Sequence, residues 1–165
     1  MTEKNVPALK RLRNTLIEAH GKNALNMIHW ASRTKPDVQV VDPDPGECGT
    51  ALCAAGWGAV NAGWQIDWSP GSYTALTCSK DGSREYIEFV AIEALGLTVR
   101  ESMALFNAAN PEPDEDIELS EVIRTLDGLI LLAEKHPDRS DVEDAFDTNE
   151  SRRILINLAD NPSDF

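Results

Sequence analysis

Apolar residues recur at helical spacing in three stretches of this chain and lose any period in a fourth. Leu9, Leu12 and Leu16 stand at i, i+3 and i+7 among Lys10, Arg11 and Arg13. That spacing predicts one apolar stripe on a helix that Gly21 ends. Val122, Leu126, Leu129 and Ala133 follow i, i+4, i+7 and i+11, with Lys135 and His136 in the last turn before Pro137, where cations favour the helix dipole. A further helical region is expected from Ser140 to Ala159, facing Ile154, Leu155 and Leu158 inward, with a break near Asp147 to Asn149. From Arg84 to Leu95 the text is apolar on nearly every side, at Tyr86, Ile87, Phe89, Val90, Ala91, Ile92, Ala94 and Leu95. Such a segment reads as a buried central helix. Gly96 then sits where a left-handed C-cap belongs, and Thr98 with Glu101 forms a capping box opening a helix that buries Val99, Met103 and Phe106.

Between these helices the pattern breaks. Residues 33–46 contain Pro36, Pro43 and Pro45 with Asp42 and Asp44, which predicts a loop. Thr50 is expected to cap a helix over Ala51 to Ala62, where Ala, Gly56 and Gly58 leave room for another helix to approach. Trp64 to Trp68 and Tyr73 to Cys78 lie on either side of Pro70-Gly71, and their aromatic and β-branched content predicts two short antiparallel strands. Lys80-Asp81-Gly82-Ser83 is a second turn. The fold class is therefore mostly α: a compact single-domain helical fold over residues 1–165 with one short β-hairpin.

Charge divides the chain. Fifteen Lys and Arg against 28 Asp and Glu give a net charge of −13. Residues 111–165 hold 16 acidic and 5 basic side chains, a net of −11, so the acidity is concentrated in the last third. Such a surface repels phosphate backbones and anionic lipid, which argues against direct nucleic-acid binding and against a membrane partner. The longest apolar run, Ala51 to Val60, falls far short of the roughly 18 residues of a span, and no export signal is read at the start. Three cysteines, an odd number, do not suit a complete disulfide framework, and the expected location is the cytoplasm.

The chemistry-bearing text is Glu47-Cys48-Gly49-Thr50-Ala51-Leu52-Cys53-Ala54-Ala55-Gly56-Trp57. Cysteines entering a helix start meet free amides that lower a thiol's pKa, so Cys48 or Cys53 with His29 as base is a candidate thiol-dependent catalytic set. The plainer reading makes both cysteines small apolar fillers. A zinc site from Cys48, Cys53, Cys78 and His29 is disfavoured by spacing, since structural zinc usually shows two close ligand pairs. Glu112, Asp114, Glu115, Asp116, Glu118 and Glu121 cluster before a helix but lack the turning glycine of a calcium loop. No Gly-rich phosphate loop appears, and no cofactor or metal is expected. The acidic cluster reads instead as a surface for a partner, with Trp64 and Trp68 as the competing contact, because Trp is enriched at interfaces.

Met27 and Trp30, the Pro-rich loop, C-G-T-A-L-C-A-A-G-W, Leu95-Gly96-Leu97 and Leu105-Phe106 together resemble a pattern in uncharacterised proteins of actinobacteria and their bacteriophages. The resemblance covers roughly residues 9 to 106, and Leu25 stands where the pattern usually carries an aromatic. It implies a small accessory protein and supplies no catalytic residue. The leading expectation is a non-enzymatic, acidic accessory protein that binds another protein, a modulator of a host factor if the gene is phage-borne. The alternatives are the thiol enzyme and a nucleic-acid mimic acting through the acidic surface.

Overall fold

A computed structural model describes residues 4–22, 24–25, 31–33, 50–106, 119–135 and 148–163. The fold is mostly α, with six helices and two small antiparallel sheets among the described residues. Helix α1 (Val6–Gly21) buries Leu9, Leu12, Leu16 and Ala19, the stripe that its spacing predicts. Asn5 starts it: the Asn5 side-chain oxygen accepts from the Ala8 amide at 3.2 Å, while its amide group donates to the Ala94 carbonyl at 3.0 Å. One residue thus caps α1 and ties it to the end of another helix.

The segment after residue 50 departs from expectation. Thr50–Leu52 is a strand, β2, paired antiparallel with β1 (Ala31–Arg33), and helix α2 (Ala54–Asn61) begins only after Cys53. Cys53 takes the N-cap place expected of Thr50, with extended φ and ψ of −77° and −179°. The small residues of α2 act as anticipated. A Cβ at Gly58 would lie 3.3 Å from the Ala91 Cβ, so the helix α3 (Ile87–Leu95) packs closer here than a larger side chain permits.

The single hairpin expected about Pro70-Gly71 is replaced by a more divided arrangement. Strand β3 (Gln65–Ile66) does pair antiparallel with the later segment, Ile66 opposite Cys78, but its partner is β5 (Thr77–Lys80). The intervening β4 (Thr74–Ala75) leaves to pair with β1, giving the orders β2-β1-β4 and β3-β5-β6. The tight hairpin forms at the second turn, where β5 meets β6 (Ser83–Tyr86) around Asp81 and Gly82. Both turn residues have positive φ, 51° and 82°, the requirement of the two-residue turn whose twist matches its strands. The first residues of the expected helix over Arg84 to Leu95 are thus spent on β6. Nor is the remainder buried all round: Ile87, Val90, Ala91 and Leu95 face the core, whereas Phe89 is exposed.

Gly96 closes α3 in the left-handed conformation, φ 67° and ψ 37°. The capping box then forms as read. Thr98 N donates to the Glu101 carboxylate at 2.9 Å, and Glu101 N donates to the Thr98 hydroxyl at 3.3 Å. Helix α4 (Val99–Phe106) buries Ala104, Leu105 and Phe106, but Val99 and Met103 face outward, contrary to the predicted set. The other Glu101 oxygen meets the Lys4 ammonium at 3.1 Å with both side chains buried.

Helix α5 (Leu119–Lys135) buries Val122, Leu126, Leu129 and Ala133 as its period demands. Its neighbour α6 (Thr148–Asp160) contributes Leu155 and Leu158, with Ile154 half-buried against the same core; the expected helical start at Ser140 and the residues up to Asp147 lie outside the described residues. A Cβ built on Gly128 would collide with the Leu155 carbonyl, so the two backbones touch at that point. Buried side chains from all six helices form one continuous apolar cluster. No described helix is long and apolar enough to cross a membrane.

Candidate functional site

Of the candidate thiol set, Cys53 is the member among the described residues. Its sulfur accepts from the Gly56 amide at 3.4 Å, so the cap amides are indeed directed at it, yet the side chain is only 1% exposed. Burial pushes the Cys53 thiol up to about 11, outweighing the hydrogen bond from Gly56 that acts the other way. A thiol in that state holds its proton at neutral pH, the reverse of an activated nucleophile. Cys78 is also buried and its thiol is pushed up to about 11, first by burial and then by the carboxylates of Asp67 and Glu85. Cys48 and His29, the other members of the candidate set, lie outside the described residues. Among the described residues no three His, Cys, Asp or Glu side chains come together as metal ligands.

Of the acidic cluster, Glu112, Asp114, Glu115, Asp116 and Glu118 lie outside the described residues, and Glu121 stands exposed in the first turn of α5. The tryptophans are placed more clearly. Trp64 and Trp68 are half-buried and pack against the core, and the Arg33 guanidinium sits 4.8 Å from the centre of the Trp68 ring. Arg33 is buried and also donates to the carbonyls of Ser72 at 2.8 Å and Ser69 at 3.1 Å, so it staples the turn between β3 and β4 to β1 while covering one indole face. Trp57 is buried and donates its indole N–H to the Ala24 carbonyl at 3.1 Å. The tryptophan cluster is therefore occupied largely with packing.

Among the described residues, the most exposed aromatic pair lies on residues that periodicity assigned to the core. Tyr86 is 56% exposed and Phe89 59%, and their rings meet edge to face with centroids 5.9 Å apart. Leu76, 58% exposed, is tied to the start of α3 through its backbone, its carbonyl accepting from the Ile87 amide at 3.0 Å. All four residues of β6 are exposed, and β6 is the end strand of its sheet. The two-residue turn makes Lys80 and Ser83 a hydrogen-bonded pair, so Cys78 and Glu85 form the next such pair. Arg84 and Tyr86 consequently direct their amides away from β5. The signal that could have located this edge was Asp81-Gly82, the strongest short-range mark of a hairpin, whose second arm must extend past Arg84.

A cleft of about 270 Å³ bounded by α1, α2 and α3 is lined by Asn5, Arg11 and Asn61 among others. Its polar groups already serve the fold: Asn5 caps α1, Arg11 donates to the Asn61 carbonyl at 3.3 Å, and Asn61 hydrogen-bonds Thr15 at 3.0 Å. Comparison of the chain with models of protein families, with curated proteins and with solved structures gives no match.

Proposed function

We propose that this chain acts by binding another protein, with no catalytic step of its own, as the small accessory factor that its sequence resemblance implies. The observation that carries the reading is the Tyr86–Phe89 ring pair, each ring more than half exposed, where the open sheet edge runs into α3. Two solvent-exposed aromatic side chains in contact are costly to a monomer and typical of a contact surface. The net charge of −13 supports a partner with a basic docking face, because complementary potentials speed encounter. The raised Cys53 thiol favours this reading over the thiol enzyme.

The test is site-specific photocrosslinking in lysate of the cells that express the protein, with the photoreactive side chain placed at Phe89 or, as a control, at Ile17, which is exposed on α1. The expected outcome is one discrete adduct from Phe89 and none of that mass from Ile17. Equal capture at both positions, or none at Phe89, would overturn the assignment.

A further inference from the structure

We infer that the partner docks by adding an extended segment as an antiparallel fourth strand along β6, with a Lys or Arg opposite Glu85 and apolar side chains on either side of it. This rests on the binding role proposed above and specifies its mode. A sheet edge offers a row of unpaired backbone groups, and extended peptides are commonly held there by main-chain hydrogen bonds, with specificity supplied by alternate side chains. On β6 the outward groups are the Arg84 N–H, the Arg84 carbonyl and the Tyr86 N–H, since the Tyr86 carbonyl opens α3 as its N-cap residue. Nothing among the described residues covers them, as all of β6 is exposed.

Side-chain chemistry then selects the occupant. Residues directly opposite each other in an antiparallel pair point to the same face, where opposite charges stabilise and like charges destabilise. Arg84 is already matched within its own sheet, 3.1 Å from the Asp67 carboxylate and within hydrogen-bond reach of the Thr77 hydroxyl. Glu85 makes no ion pair among the described residues, so it is the charge left for a newcomer to meet. The residues flanking the partner's basic position share a face with Arg84 and Tyr86, where the Tyr86–Phe89 pair provides apolar contact.

A second copy of this chain fits poorly. Two β6 edges related by a two-fold axis normal to the sheet keep each face on the same side, so only positions of equal parity can oppose. Centring the axis on Glu85 sets Glu85 against its own copy, and centring it on Arg84 does the same for Arg84. Centring it on Tyr86 leaves no strand to pair with, because α3 begins at Ile87; the two registers within the strand place like charges together, between two molecules each of net charge −13.

The experiment titrates two blocked pentapeptides, TVKVT and TVEVT, into the isotope-labelled full chain and follows backbone amides by NMR. TVKVT should shift the Arg84 and Tyr86 amides and slow their exchange with solvent, and TVEVT should bind at least tenfold more weakly. Glu85→Lys should reverse that preference. Tyr86→Ala removes only the ring. Tyr86→Pro also removes the outward N–H, at a native φ of −71° that proline accepts, and should lose at least a further tenfold. Equal binding of the two peptides, equal affinity of the Ala and Pro variants, or no movement at millimolar TVKVT would overturn strand addition. So would sedimentation showing a dimer that Tyr86→Pro dissociates. If the Phe89 crosslink persists when these peptide results are negative, the binding role stands without this mode; if both are lost, both fall.

Discussion

The α5–α6 contact and the β6–α3 corner both draw on apolar residues, in different patterns, and those residues end in opposite places. In α5 the apolar residues leave a polar face, and Val122, Leu126, Leu129 and Ala133 all turn inward. At the corner, apolar side chains occur at nearly every position between Tyr86 and Leu95, so some must face solvent wherever the core lies. Ile87, Val90, Ala91 and Leu95 take the inner side of α3, and Phe89 is left outside with Tyr86. The difference teaches that a periodic stripe specifies which face is buried, whereas an unbroken apolar run specifies only that part of it is, and the excess becomes surface available for contact.

The severest way to break this comparison is to disturb the tighter side. Gly128→Ala places a methyl group against the Leu155 carbonyl, and because the obstruction is backbone the helices must separate. The expected cost is about 3 kcal/mol or more, at the upper end for overpacking. Urea unfolding reads it directly; a midpoint unchanged from the parent would mean that α5 and α6 do not meet at Gly128.

Lys4→Ala should follow closely. It strips one partner from a carboxylate with no solvent exposure, leaving Glu101 to its other contacts, the hydrogen bond from Thr98 N among them. Breaking a buried pair from one side costs about 3–5 kcal/mol, and the contacts Glu101 keeps put the expected loss at the lower end of that range. A loss of only a few tenths in the same unfolding assay would place Lys4 in solvent. This contact joins the chain's beginning to the start of α4, and nothing in the periodicity of either segment announces it.

The legible and illegible parts of the molecule separate along the same physical line. Local rules were sufficient where the chain's own neighbours decide the outcome: the α1 stripe, Gly96 in the left-handed region and the Thr98–Glu101 box each depend on residues within two turns. Thr50 shows where they end. Its hydroxyl suits a cap, but pairing of residues 50–52 with residues 31–33 claims the backbone first, and Cys53 inherits the cap. The division of the expected hairpin has the same origin, since β4 answers to β1 some forty residues earlier. For the candidate site, Cys53 was legible as a cap-proximal thiol, whereas its burial depended on the surrounding helices. Tyr86 and Phe89 were legible as apolar and assigned to the wrong side.

The thiols give a pH signature that separates interior from edge. With Cys53 titrating at about 11 in the fold and near the ordinary thiol value of about 8.5–9 when unfolded, both states hold the proton below about pH 8 and the stabilising contribution is complete. As pH rises from about 9 to 11 the unfolded chain releases its proton first, so stability falls, by on the order of 2 kcal/mol for Cys53. Cys78 acts in the same direction. Unfolding midpoints should therefore decline across that window, and less steeply in Cys53→Ala. Iodoacetamide at neutral pH should leave both residues unmodified until denaturant is added. Rapid labelling of Cys53 in the folded protein would revive the thiol chemistry that its burial opposes.

The smallest expected effect is the most informative about the corner. Phe89→Ser removes a side chain that is 59% exposed and touches Tyr86 at its edge, so little buried surface is lost. Surface substitutions away from caps and cores stay within about 0.5 kcal/mol of the parent, and that is the range expected here. The same exchange at Leu126, fully buried in α5, would leave a cavity and a stranded hydroxyl. If Phe89→Ser instead costs as much as a core truncation, the ring is part of the fold's interior and the surface assigned to a partner does not exist. If stability is unchanged while an adduct formed from a crosslinker at Leu76 is lost on Phe89→Ser, the corner contributes to contact and not to folding, and the two ends of the comparison are resolved by a single residue.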